Sequence, residues 1–461
     1  MVGTGYKVAF IEFGEQGSYQ DTSQLKNAIE LVQNTNKPLV ITYVHGWQNN
    51  AESGDVQRFS GLLARLNQAS AIRDAGFNVI GVYMAWRGKL SSVPALKEIS
   101  FWNRKATAER IASNFDCYDA IAAISEAARK YHGLHNQYTI LLGHSFGGLI
   151  VERSVAHAIN AEMHGHADAD RSLPADLILV VNPASDSVLA RQMISALYSR
   201  RTENSRPIFV SITSTSDTAT SLAFPIGTSL AATTKGFNKV PPPGPEKSLH
   251  SEREFYTSTP GHNQMLINYV TEKLPKTIPS HGLPAFETNL KHNLVGDVFT
   301  LDGPNGSLEL WHIKRVSAVD VPYWDVSVDP SIIKNHGDLW NERAEAMMAA
   351  IFRIANRRDD ALIDSLAEQG IGYVPFFPLG GFTPLQSETL SNVGARLNAR
   401  PMSVALAWLL QRSPNILLIP GTSSVEHLRE NVAGAGLQLP HEAIKELNHA
   451  ALRQSNSRVH Y

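Results

Sequence analysis

The stretch that most constrains the fold is residues 138–150, which read Tyr-Thr-Ile-Leu-Leu-Gly-His-Ser-Phe-Gly-Gly-Leu-Ile. An apolar, β-branched run ends at Gly143, Ser145 follows, and Gly147 opens a segment with the apolar spacing of a helix. A Gly-x-Ser-x-Gly pattern between a strand and a helix is typical of a nucleophile elbow, a tight turn that exposes a serine hydroxyl. Because Gly143 and Gly147 carry no side chain, the strand and the helix can approach each other closely. The sequence therefore predicts a catalytic serine, Ser145.

Strand and helix patterns alternate through roughly the first three quarters of the chain. Short apolar runs predict buried strands, and segments with apolar residues at helical spacing separate them. This alternation predicts an α/β fold with a mostly parallel central sheet that helices cover on both faces. The predicted strands are residues 8–13, 38–44, 78–85, 138–142, 176–181, 207–213 and 323–328.

A serine hydroxyl becomes a good nucleophile when a histidine takes its proton and a carboxylate orients that histidine. After a nucleophile elbow, the acid and then the histidine are expected on loops that follow later strands. Asp217 follows the strand at residues 207–213 and is the predicted acid, with Asp186, after the preceding strand, as the alternative. His336 follows the strand at residues 323–328 and is the predicted base. His262, which follows a proline-rich loop, is the alternative base.

Negative charge that develops on a substrate oxygen needs backbone N–H donors. One donor is expected from Phe146, the residue after the nucleophile, at the start of a helix whose dipole favours the same charge. The other is expected from Trp47, since Gly46 permits the sharp turn that follows the strand at residues 38–44. His45 is predicted to hold this loop by hydrogen bonds. Trp47 and Phe146 thus form the predicted oxyanion hole.

Residues 6 to about 353 resemble the α/β-hydrolase superfamily, in particular its esterases and lipases with one residue after the His-Gly turn. The resemblance implies a domain at residues 1–353 that hydrolyses small carboxylic esters through an acyl-enzyme, with no metal or organic cofactor. We therefore predict a serine carboxylesterase, with a lipase or another acyl hydrolase as the alternative. About 118 residues separate the predicted acid from the predicted base. Within them, residues 235–315 are predicted to be a lid-like insertion with a hairpin, and residues 263–274 a helix.

The remaining residues, 354–461, resemble a different family. To about residue 455 they are similar to the last quarter of an aldo-keto reductase, a (β/α)₈ barrel. That family's catalytic aspartate, tyrosine, lysine and histidine lie on earlier strands, and two strands cannot close an eight-stranded barrel. The segment is therefore predicted to be incomplete and to bind no cofactor, with NADP binding without reductase activity as a remote alternative. The positions that match the family's NADP site are Leu379, Gly380, Gly421, Thr422, Ser423, Arg429 and Asn431.

Composition excludes several other classes of function. The formal net charge of −2 and the lack of a basic patch argue against a nucleic-acid partner. No apolar run reaches the length of a membrane span, and no signal peptide is visible, so a cytoplasmic protein is expected. The single cysteine, Cys117, excludes an internal disulfide. The oligomeric state is left open. Polar residues on one connection, namely His157, His164, His166, Asp168 and Asp170, are expected to be solvated rather than to bind a metal.

Overall fold

The computed structural model divides the chain into two compact units, Met1–Ala355 (unit 1) and Asn356–Tyr461 (unit 2). The residues that it describes are 2–3, 5–47, 49–88, 97–132, 137–163, 173–198, 207–280, 282–290, 297–356, 372–374, 388–420, 422, 424–440, 442–444 and 446–447.

In the described part of unit 1, eleven strands form one sheet in the order β1-β2-β4-β3-β5-β6-β7-β13-β10-β12-β11. Neighbouring strands from β2 to β10 run parallel, whereas β1, β12 and β11 are antiparallel to their neighbours. The predicted α/β fold with a mostly parallel sheet is therefore confirmed at this level. The strands are β1 Val2–Gly3, β2 Tyr6–Phe13, β3 Pro38–Val44, β4 Asn78–Trp86, β5 Tyr138–His144, β6 Leu177–Val181, β7 Phe209–Ser214, β10 Tyr269–Pro279, β11 Val298–Asp302, β12 Ser307–Arg315 and β13 Tyr323–Val328. Two short strands, β8 Lys239–Val240 and β9 His250–Ser251, pair separately.

The central strands are buried on both faces because helices cover the sheet on both sides. Every residue of β3 and β5 is buried, and successive side chains of β3 enter opposite cores. One face packs on α2 Gly54–Gln68, α3 Ser70–Asp74, α10 Ala285–Leu290 and α11 Glu342–Ala355. The other packs on α1 Thr22–Gln33, α4 Lys97–Ser113, α5 Phe115–His132, α6 Phe146–Met163, α7 Ser187–Tyr198, α8 Phe224–Ala231 and α9 Glu252–Tyr256. The carboxyl ends of β3, β5, β6, β7 and β13 therefore share one edge of the sheet.

The region between Asp217 and His336 mostly extends the sheet. The predicted hairpin corresponds to β11 and β12, which pair antiparallel. The predicted helix at residues 263–274 is wrong, because β10 occupies Tyr269–Pro279 and pairs with β12 and β13. Its sequence, Tyr-Val-Thr-Glu-Lys-Leu-Pro-Lys-Thr-Ile-Pro, is rich in β-branched residues, and Pro275 is incompatible with a helix interior. The register shift between Lys273 and Thr277 accommodates that proline at a bulge.

Unit 2 has a small core of its own, which includes Val393, Val404 and Leu439. Its described helices are α12 Glu388–Arg396, α13 Pro401–Leu410 and α14 Val425–Ala435. Proline at the first position of α13 suits a helix start, since its missing N–H has no partner there. A single bridge, Tyr373 to Ile416, is the β pairing in the described part of this unit.

Candidate functional site

Ser145 lies on a strained turn between β5 and α6. Its backbone φ is +55°, a left-handed conformation that residues other than glycine rarely adopt. Glycines on either side make this possible: a Cβ on Gly147 would lie 2.0 Å from the Val44 carbonyl oxygen, and one on Gly143 would lie 2.8 Å from the Gly147 carbonyl oxygen. Helix α6 begins at Phe146, so its positive dipole end faces the serine.

His336 and Asp217 meet this serine at the same edge of the sheet. The His336 Nε2 atom lies 2.7 Å from Ser145 Oγ, and His336 Nδ1 lies 2.8 Å from Asp217 Oδ2. An N–H at Nδ1 donates to the carboxylate, so Nε2 is free to accept the serine hydroxyl hydrogen. The serine is 2% exposed and the Asp217 side chain is fully buried, whereas the imidazole is 28% exposed. This arrangement can remove the serine proton as Oγ attacks an electrophile.

Asp217 is held as a carboxylate by the hydrogen bonds that converge on it. Burial by itself raises the pKa of this carboxyl, but the bonds and charge of His336 and the hydrogen bonds from Thr220 outweigh it and lower the pKa below its usual range. The backbone amides of Ala219 and Thr220 donate to Oδ1 at 3.0 and 3.3 Å, and the Thr220 hydroxyl donates to Oδ2 at 2.6 Å. Asp217 is therefore an ionised carboxylate when it accepts the hydrogen bond from the His336 N–H.

Several side chains that the sequence did not single out hold the His336 loop. Asn182, directly after β6, donates from Nδ2 to the His336 carbonyl at 3.0 Å, and its Oδ1 accepts the Ser214 amide at 2.9 Å. The Ser214 hydroxyl donates to the Ile333 carbonyl at 2.6 Å. His144 also donates to the His336 carbonyl, at 2.8 Å, and burial lowers the pKa of its imidazole to about 4. The sequence contains one indication of this role: Asn182 directly follows a predicted strand, at the edge of the sheet where the site was expected.

The predicted oxyanion loop packs directly on the serine. A Cβ on Gly46 would lie 2.9 Å from the Ser145 Cβ, so the Gly46–Trp47 turn lies against the nucleophile. His45 is buried, its Nδ1 donates to the Gly46 carbonyl at 2.8 Å, and its Nε2 accepts the Trp86 amide at 3.1 Å. Burial lowers the pKa of this imidazole, which keeps it neutral. His45 therefore braces the loop that presents Trp47.

The alternative acid and base lie elsewhere. Asp186 forms an ion pair with Arg153, with Oδ2 3.2 Å from the guanidinium, and its Oδ1 accepts the Val188 amide at the start of α7. His262 forms no hydrogen bond with Ser145. Its Nε2 lies 3.0 Å from Thr220 Oγ1, and the Thr220 hydroxyl in turn donates to Asp217.

The residues of unit 2 that match a nucleotide site are described in part. Thr422 and Arg429 are exposed, and Asn431 is partly buried. Leu379, Gly380, Gly421 and Ser423 lie outside the described residues, as do His164, His166, Asp168 and Asp170. Across the residues that are described, no group of three or more histidine, cysteine, aspartate or glutamate side chains is placed to hold a metal ion. Among the same residues, no helix is both long enough and apolar enough to cross a membrane.

Comparison with known proteins assigns the C-terminal part of the chain to a family. Residues 344–451 match the model of the aldo/keto reductase family. Pyridoxine 4-dehydrogenase of Escherichia coli (strain K12) is 70% identical over 97 residues, which are 21% of this chain and 34% of that protein. An uncharacterized oxidoreductase of Schizosaccharomyces pombe is 38% identical over 99 residues, 21% of this chain and 32% of its own. The chain thus spans about a third of the length of these relatives. Its C-terminal region is therefore similar to part of an aldo/keto reductase.

A solved structure of a thermostable aldo-keto reductase aligns over 96% of this chain and 94% of its own. The identity is 14% and the TM-score 0.18, a score at which an alignment says nothing about the fold.

These matches contradict the prediction that the chain is a serine carboxylesterase or a lipase. The matching family and the named relatives are oxidoreductases rather than carboxylic ester hydrolases. The prediction drew its substrate class from a resemblance, whereas strand order and a reactive serine do not specify an ester. The match begins at residue 344, after Ser145, Asp217 and His336 in the chain. The chemistry of those three residues therefore has to be argued from their own geometry.

Proposed function

We propose that unit 1 uses Ser145 as a covalent nucleophile, with His336 as its general base and Asp217 as the carboxylate that orients the imidazole. The observation that carries this proposal is the pair of contacts at 2.7 Å and 2.8 Å that joins the three side chains. As Oγ bonds to an electrophilic centre, its proton passes to His336 Nε2, and the resulting imidazolium stays paired with Asp217. The proposal concerns the reacting group and names no ester as the substrate.

The fold proposed for residues 6–353 is that of an α/β-hydrolase. Three features of unit 1 support it: a largely parallel sheet, a nucleophile turn between β5 and α6, and an acid and a histidine after β7 and β13. We further propose residues 1–353 as one domain and residues 354–461 as an incomplete aldo-keto-reductase-like segment. The break between the two compact units after Ala355 is close to this boundary.

The backbone amides of Phe146 and Trp47 are the proposed donors to the negative charge that develops on the electrophile. Phe146 supplies the first amide of α6, where the helix leaves N–H groups without intrahelical acceptors. Trp47 follows Gly46, which touches the serine. Two fixed donors of this kind stabilise the charge without reorganisation.

The test is reaction with an alkyl fluorophosphonate, in which the Oγ–phosphorus bond forms, fluoride leaves and the serine proton passes to His336. The full chain should become labelled. Ser145→Ala should abolish labelling, and His336→Ala should slow it by at least about a thousandfold. Ser331→Ala, which alters an exposed serine on the same loop as His336, is the matched control and should react like the parent protein. Equal labelling of Ser145→Ala and the parent would overturn the proposal.

A second candidate function rests on the aldo/keto reductase region. Its 70% identity to the pyridoxine 4-dehydrogenase of Escherichia coli favours a part in alcohol oxidation or carbonyl reduction. The full chain would be incubated with NADP⁺ and pyridoxine, with the Escherichia coli enzyme as the positive control. Formation of NADPH by this chain supports the candidate. Its absence at matched protein concentration would leave residues 344–451 without the relatives' activity.

A further inference from the structure

The hydrogen bonds that start at Ser145 continue past Asp217. Asp217 Oδ2, the same oxygen that accepts the His336 N–H, also accepts the Thr220 hydroxyl at 2.6 Å. Thr220 Oγ1 in turn lies 3.0 Å from His262 Nε2. We propose that Thr220 and His262 are positioning residues that set how strongly Asp217 holds the His336 proton. This inference rests on the proposed role of Ser145.

The direction of each hydrogen bond follows from the groups involved. A threonine hydroxyl has one hydrogen, and an ionised carboxylate can only accept, so Thr220 donates to Asp217. Thr220 Oγ1 must then accept from His262, which fixes the hydrogen of that imidazole on Nε2. Burial lowers the pKa of His262, although the charge of Asp217 opposes this, so the imidazole stays neutral near pH 7. A neutral donor supports Thr220 without adding a charge.

The backbone places both residues firmly. Thr220 is buried in the turn of residues 217–220, where the Asp217 side chain accepts two backbone amides. His262 ends a short helical turn, Pro260–His262, that lies on β7: a Cβ on Gly261 would be 2.0 Å from the Thr213 Cβ. Asp217 is the charged group that acts on His262. The other titratable side chain beside His336 is His144, whose ring centroid lies 5.3 Å from that of His336. The contact of Thr220 with His262 is therefore a consequence of the fold rather than of a flexible surface.

The chemical consequence concerns the charge on one oxygen atom. Each hydrogen bond that Oδ2 accepts spreads its negative charge, so the Thr220 donation weakens the pull of Asp217 on the His336 N–H. Loss of that donation concentrates the charge, stabilises the imidazolium and delays its deprotonation to higher pH. Thr220 and His262 thus set how strongly Asp217 holds the N–H of His336.

The experiment measures the rate of fluorophosphonate labelling against pH in the full chain. Thr220→Val removes the hydroxyl at nearly constant volume, and its profile should shift upward by roughly half a pH unit or more. At pH 7 a shift of half a pH unit should lower the labelling rate by up to about threefold. Thr220→Ser keeps the hydroxyl and should restore the parent profile. His262→Leu should shift the profile in the same direction by less, and His262→Gln, which keeps a donor near Nε2, should reverse that shift.

A second readout does not depend on labelling. The low-field proton NMR signal of the His336 Nδ1–H should move in Thr220→Val and His262→Leu and return in Thr220→Ser and His262→Gln. Unchanged pH profiles and an unmoved signal in Thr220→Val and His262→Leu would overturn the inference, even if rates fell through loss of folding. If Ser145→Ala is labelled like the parent, the proposed nucleophile fails, and the NMR signal still decides the role of Thr220 and His262.

Discussion

The two units differ in how completely each buries its apolar residues. In unit 1 the central strands are covered on both faces, and side chains such as Ile212 on β7 have no exposed surface. In unit 2, Leu417 and Ile419 follow the single described β bridge and are 57% and 80% exposed. One face of α14 is also exposed and apolar, with Val425, Leu428 and Val432 at helical spacing. The core of unit 1 covers both faces of its central strands, whereas the small core of unit 2 leaves these apolar side chains exposed.

The family match and the three side chains that contact one another lie in different parts of the chain. The strong family match lies in the unit that spans about a third of its relatives, and an activity built from a whole barrel does not follow from such a part. The three side chains that contact one another at hydrogen-bond distance lie in the other unit. The sheet of unit 1 brings these three residues together from positions up to 191 residues apart in the chain.

The largest effect that tests this comparison comes from removing side-chain volume at one residue in each unit. Ile212→Ala should cost about 2–5 kcal/mol in the free energy of unfolding, because it leaves a cavity in a closed core. Ile419→Ala should cost no more than about 0.5 kcal/mol, because the side chain is already in water. Urea unfolding followed by tryptophan fluorescence measures both. Equal costs would show that unit 2 is packed as tightly as unit 1.

A smaller effect comes from a buried carboxyl that unit 1 can keep neutral. Burial, with a smaller contribution from the charge of Asp186, raises the pKa of Glu152 on α6 to about 7, partly opposed by the Ser185 hydroxyl that donates to it. Asp325 on β13, also fully buried, has its pKa raised in the same way, by burial first and then by the charge of Glu152. Both groups therefore ionise more readily in the unfolded chain.

The sign of the pH dependence follows directly. Below the ordinary pKa of a glutamate, Glu152 is protonated in both the folded and the unfolded chain and costs no free energy of unfolding. Between that pKa and about 7, Glu152 ionises in the unfolded chain alone, so the free energy of unfolding falls as the pH rises. Glu152→Gln should therefore gain stability over the parent as pH rises from 5 to 8, by at most about 3 kcal/mol. Thermal unfolding at several pH values measures this, with the exposed Glu30→Gln as control. A constant difference between parent and Glu152→Gln would contradict it.

The smallest expected effect is that of removing unit 2. A chain ended at Ala355 keeps every contact named for Ser145, His336 and Asp217, so its fluorophosphonate labelling rate should equal that of the full chain. Residues 356–461 alone should unfold without a cooperative transition, since their small core leaves apolar side chains exposed. Labelling kinetics and calorimetry measure the two outcomes. Loss of labelling on truncation would mean that unit 2 completes the site.

The sequence predicted the structure best where a short segment alone determines it. The glycine spacing around Ser145 predicted the strand, the turn and the helix, and chain order led to Asp217 and His336. Asn182 and Thr220 were missed because Asn182 bonds to His336, 154 residues away in the chain, and Thr220 to His262, 42 residues away. No local pattern encodes such contacts. Their roles at the site, like that of Ser145, stay proposals.

Two errors had physical causes. Residues 263–274 have enough apolar residues to suggest a helix, but pairing of β10 with β12 and β13 overrode that preference. The ester substrate came from a resemblance, and no residue spacing in unit 1 specifies an ester. The aldo/keto reductase region, by contrast, was predicted as such because the segment Gly421–Asn431 keeps the family's residues in order, and the family match confirms it.

The central claim is that Ser145 is the reactive group of this chain. Its most direct test is the intact mass of the full chain after treatment with a fluorophosphonate, followed by mapping of the modified peptide. One adduct per chain is expected, on Ser145, and none on Ser145→Ala. No adduct on the folded protein, or an adduct on another residue with Ser145 unmodified, would contradict it.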